Sequence, residues 1–164
     1  MDVFKRFLGI PLHPLAVHAP VVLVPLLILC ALTYALVPRV RKQVGWLAVA
    51  LAVVAPLAVF LAKKSGEAFR NIKVDQAREA GIALSNLSAI NKHASYGDAL
   101  LWSSISLGVL VLAYAWILRR SAGSAPSTML NVAFSVLVVA ASAASAYYIF
   151  RSGDSGAHMV WQNQ

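Results

Sequence analysis

This chain has little acid, one cysteine, and no charge inside any of its long apolar runs. Six Asp/Glu stand against 14 Lys/Arg in 164 residues, for a net charge of +8, and only 12% of residues are charged. The single cysteine, Cys30, excludes an intramolecular disulfide and a cysteine-based zinc site. It lies mid-run and reads as a small buried hydrophobe. No Cys-x-x-Cys-His occurs, which excludes covalent c-type haem.

What the chain does have is apolar surface. It is 60% hydrophobic, with mean hydropathy +0.73. A soluble domain of this length rarely carries so much. The basic residues sit beside the apolar runs, where Lys and Arg mark membrane flanks, so the positive charge does not imply nucleic-acid binding. Spanning a bilayer takes about 20 apolar residues. Four stretches qualify, over residues 14–37, 45–62, 99–118 and 129–150. Lipid demands that every backbone group be satisfied within the span, which selects helices. The expected fold is all-α: one integral membrane four-helix bundle over residues 1–164, with an extramembrane, partly helical connection over 63–98. In that connection Phe69, Ile72, Val74, Ala77, Ile82, Leu84, Leu87 and Ile90 recur irregularly among polar residues, which suits one or two short helices lying over the bundle mouth and equally a solvated surface loop with some helix. Lys5-Arg6 before the first run imitates a signal peptide, but the run is too long and reads as a retained helix.

Four passes put both termini on one side. That side collects His13, His18, His93 and His158 with Asp2, Glu67, Asp75, Glu79, Asp98 and Asp154. The opposite side has two short loops carrying Arg39, Arg41 and Lys42, then Arg119 and Arg120, with a turn at Gly123 and Pro126. Counting Lys and Arg favours termini in the cytoplasm, while charge density in the short loops favours termini outside. The expected arrangement has both termini outside.

Four motifs gather at the terminal side. The first is His13-Pro14-Leu15-Ala16-Val17-His18-Ala19-Pro20. Pro14 suits a first helical turn. Pro20 withholds a donor from the Ala16 carbonyl. His13 and His18 lie roughly 140° apart on a straight helix, so they serve different partners. The second is His93-Ala94-Ser95-Tyr96-Gly97-Asp98, in which Ser95 and Asp98 have capping-box spacing. The third is Gly153-Asp154-Ser155-Gly156-Ala157-His158-Met159-Val160-Trp161, whose glycines suggest a turn folding the tail over the rim. The fourth is Ser65-Gly66-Glu67 at the exit of the second span.

These His-Pro-x-x-x-His-x-Pro, His-Ala-x-x-Gly and Gly-x-Ser-Gly-Ala-x-x-Val-Trp motifs resemble those of a bacterial four-helix membrane-protein family known as domain of unknown function 2231. The resemblance spans nearly the whole chain and implies a four-span bundle in a bacterial plasma membrane; it implies no particular reaction. Similar sequences often carry a histidine between the first Gly and the Ser of the tail, where this chain has Asp154.

Two functions suit these residues. The first is a haem b or divalent metal site at the rim, with His18 and His93 as the ligand pair and His13, Glu67 and Asp154 as further metal ligands. A redox protein in the membrane would then be the natural partner. The second is a non-enzymatic scaffold or accessory subunit whose histidines cap helices. Apolar span centres argue against a transporter. Gly-Asp-Ser-Gly superficially matches a protease motif but lacks the framework that chemistry needs. No catalytic residue is expected.

Overall fold

The computed structural model describes residues 6–7, 10–81, 87–120 and 127–161. A two-residue antiparallel pair, β1 (Arg6–Phe7) with β2 (Ile10–Pro11), leads into a short helix α1 (Leu12–Ala16). Then come α2 (His18–Leu36), a 3-10 turn at Pro38–Val40, α3 (Arg41–Glu79), α4 (Leu87–Arg120) and α5 (Thr128–Trp161). Apart from the β pair the described fold is all-α. Four helices are long and apolar enough to cross a membrane. Exposed Leu29, Val53, Leu57, Val109, Val136 and Leu137 coat the outside of the bundle, as lipid contact requires.

Proline sets the first break. The helix is interrupted at Val17, between α1 and α2. Pro20 falls in the first turn of α2, where its missing N–H costs little. Pro25 and Pro56 lie inside α2 and α3. Cys30 is buried, as its surroundings predict.

The connection is partly helical, as expected, but its helices are not separate elements. No separate short helix lies over the mouth among the described residues. Instead α3 continues unbroken to Glu79 and α4 already begins at Leu87. Thirty-nine residues make α3 about 58 Å long, well beyond an apolar core of about 30 Å. Ser95 is therefore inside α4, donating to Lys92 O at 2.8 Å, and caps nothing. The tail also differs: Gly153 and Gly156 lie within α5, which runs straight on to Trp161. Tertiary packing overrides glycine's poor helix propensity here. Ile82 and Leu84, the turn at Gly123 and Pro126, and Asp2 lie outside the described residues.

The helices pack in a ring, α2 on α3, α3 on α4, α4 on α5 and α5 on α2. The two hairpins bury matching positions. On α2 the buried set includes Pro20, Val24, Leu27, Ala31, Tyr34 and Ala35. On α4 it includes Leu100, Ser104, Leu107, Val111, Tyr114 and Ala115, each 80 residues further on. On α3, Ala48, Ala52 and Ala55 are buried; on α5, Val138, Ser142 and Ser145 are, each 90 residues further on. The bundle is thus two similar hairpins, α2–α3 and α4–α5, facing each other about an axis along the membrane normal.

Candidate functional site

At the terminal rim each hairpin builds the same small structure. In the first, Ser65 on α3 is fully buried, and its hydroxyl donates to Ala62 O at 2.7 Å. His13 Nδ1 lies 3.1 Å from that carbonyl and 3.1 Å from Ser65 Oγ. Because the serine proton is already committed, His13 must donate from Nδ1. Its Nε2 then carries a lone pair. Gly66 completes the cradle: a Cβ there would sit 3.0 Å from His13 Cε1.

In the second, the Ser155 hydroxyl on α5 donates to Ser152 O at 3.1 Å. His93 Nδ1 lies 2.9 Å from Ser155 Oγ, and the ring also bonds the Ser152 carbonyl. The same reasoning puts the proton on Nδ1 and the lone pair on Nε2. Gly156 repeats Gly66, with a Cβ there 3.2 Å from His93 Cε1. His93 follows His13 by 80 residues, and Ser155-Gly156 follows Ser65-Gly66 by 90, the same offsets as the buried cores.

The two latches meet. The His13 and His93 ring centroids are 6.2 Å apart, with ring planes at 77°. Phe69, one turn beyond Ser65, stacks on His13 at 6.3 Å. Both imidazoles are half-buried. No hydrogen bond to either Nε2 is seen among the described residues.

The other candidate residues stand apart from this pair. His18 is exposed on α2. Glu67 is exposed and bound by Lys63 at 3.1 Å and Lys64 at 2.9 Å. Asp154 pairs with Arg151 at 3.6 Å and His158 at 3.4 Å. The structure therefore brings together His13 and His93, and does not bring His18, Glu67 or Asp154 to them. Among the described residues no cluster of three or more His, Cys, Asp or Glu is arranged to hold a metal ion. Sequence reasoning passed over Ser65, Gly66, Ser155 and Gly156 as a unit. The signal was present: the same Ser-Gly pair ends the apolar part of α3 and of α5.

Residues 9–164 match DUF2231, described as a predicted membrane protein. The chain belongs to the DUF2231 family. The match takes in all four long helices of this DUF2231 protein, and both latches lie within it. No curated protein and no solved structure matches the chain.

A histidine whose Nδ1–H is held by a carbonyl and a hydroxyl has its tautomer and ring orientation fixed. That is the usual outer-shell arrangement behind a metal-bound Nε2. It is also a strong mechanical tie between two helices. The geometry supports both uses.

Proposed function

We propose that this protein holds a metal-centred group, haem b or a metal ion, at one membrane face through Nε2 of His13 and His93. The single observation behind this reading is the pair of oriented rings, 6.2 Å apart, each with Nδ1 engaged and Nε2 left as a donor. The expected pairing of His18 with His93 becomes His13 with His93. Glu67 and Asp154, tied to Lys and Arg, would act on the surrounding charge. When bound, the group would supply one-electron transfer, its potential tuned by ligands and burial. The protein's own part is to fix both imidazoles and exclude competing ligands. In this reading the rim faces outward from a bacterial plasma membrane and meets a redox partner there.

A second reading rests on the same bonds. They tie α1 to α3 and α4 to α5, as a scaffold needs. An optical spectrum of the protein isolated in mild detergent, oxidised and reduced, with metal analysis of the same sample, separates the two. A redox-sensitive Soret band or a stoichiometric metal supports the first. A colourless, metal-free sample that also takes up neither haem nor metal leaves the scaffold.

A further inference from the structure

The repeat says more about what the site takes. It lies where two equivalent hairpins meet, so a ligand on that axis sees two equivalent imidazoles. The ligand set is therefore neutral and two-fold. Glu67 and Asp98, at the same rim, are both engaged by Lys63, at 3.1 and 3.0 Å.

We infer that His13 and His93 form a two-coordinate site for a single monovalent copper ion, placed between their Nε2 atoms on the internal two-fold axis. This rests on the metal-centred reading above and narrows it. Three observations carry it. The first is distance. Metal–imidazole bonds of about 2 Å in a linear arrangement put the two ring centres roughly 6.3 Å apart, and the observed separation is 6.2 Å. A linear arrangement leaves the two ring planes free to rotate, so 77° between them is no obstacle.

The second is the donor set. Zinc is almost always four-coordinate, and hard cations take six or more oxygens. Imidazole suits copper, and the monovalent ion, with a filled d shell, accepts two ligands. The third is charge. A half-buried site without an anionic ligand disfavours a divalent ion by about fourfold more Born energy than a monovalent one, since that energy rises with the square of the charge.

The test is an anaerobic titration of the detergent-solubilised full chain with cuprous ion against a chromophoric cuprous chelator. Zinc and haemin are titrated in parallel. One cuprous ion per chain is expected, with X-ray absorption showing two nitrogen neighbours. His13→Ala and His93→Ala should each weaken binding at least roughly 100-fold, more than the usual loss of an outer-shell partner. His18→Ala should change it by less than about twofold. Ser65→Ala keeps both ligands and should weaken binding about 10–100-fold; it remains informative if a histidine variant does not fold. Haem held by the same histidines, or zinc bound more tightly than cuprous ion, would overturn the copper site and leave the metal-centred reading standing. Binding of none of the three would overturn both. Loss of copper in His18→Ala but not His13→Ala would overturn the pairing itself.

Discussion

The two rims of the bundle are built from the same repeat but finished differently. At the short-loop rim, Arg41 and Asn131 occupy repeat-equivalent positions and bond each other at 3.2 Å. Arg41 also donates to Tyr34 O and Ala35 O, both at 2.9 Å, and its guanidinium lies 5.1 Å from the centre of the Tyr114 ring. Tyr114 donates to Asn131 Oδ1, and the repeat-equivalent Tyr34 and Tyr114 meet edge to face at 5.8 Å. This cluster pairs the Arg41, Asn131 and Tyr114 side chains with one another and ends the α2 helix by taking two of its last carbonyls. The histidine rim is wired as carefully on the Nδ1 side and leaves Nε2 unused. A cluster whose polar side chains bond one another reads as structure. An oriented lone pair left over, twice, reads as a place for a ligand.

Four substitutions would break or sharpen that contrast. The largest effect is expected from Arg41→Ala. It strips charge-assisted bonds from two carbonyls and Asn131, and should cost roughly 2–3 kcal/mol of stability while leaving metal uptake unchanged. Thermal unfolding in detergent, alongside metal content, reads both. A loss of metal with Arg41 would show that the rims are not independent.

Gly66→Val comes next. A Cβ at Gly66 already stands 3.0 Å from His13 Cε1, so the larger side chain must push the imidazole off its latch. The overpacking should cost about 1–3 kcal/mol. Metal binding should fall as far as in His13→Ala. Unchanged binding would mean that the cradle does not orient the ring.

His93→Ala removes one latch with its bonds to Ser155 and Ser152. The expected stability loss is about 1 kcal/mol, small beside that of Arg41→Ala, with near-complete loss of metal. If the melting temperature falls as far as with Arg41→Ala, the histidines are chiefly helix ties and the scaffold reading gains. The smallest effect belongs to Gly153→Ala. Nothing lies within 4 Å of a Cβ there, and the residue sits inside α5. Helix propensity predicts a gain of up to about 1 kcal/mol, measured by the same melts. A loss would argue that the space beside Gly153 is filled in the membrane.

Much of this was legible beforehand. The apolar runs gave four spans, and the one-sided histidines and acids gave a polar rim. The lengths of α3 and α4 were not legible, because apolar residues past Lys63 recur irregularly and show no clean stripe. The glycines of the tail looked like a turn because their local preference is for turns; both instead lie within α5, where Gly156 packs against His93. The repeat was hidden for a different reason. Its two helices are offset by different amounts, 80 and 90 residues, and most paired positions hold different residues, such as Ala31 with Val111 or Ala52 with Ser142. Buried positions repeat where letters do not.

By itself the sequence determined that four helices cross a membrane and that every described histidine lies toward one end. Those outcomes depend on the transfer of individual residues out of water, a quantity summed along the chain and blind to neighbours. Which histidine meets which was decided by the tertiary structure. His13 faces His93, and His18 does not, because the choice depends on the rotation and register of helices about their axes. Those are fixed only when α3 packs on α4, with Gly108 against the Ala52 carbonyl, and two serine-held carbonyls each capture one ring.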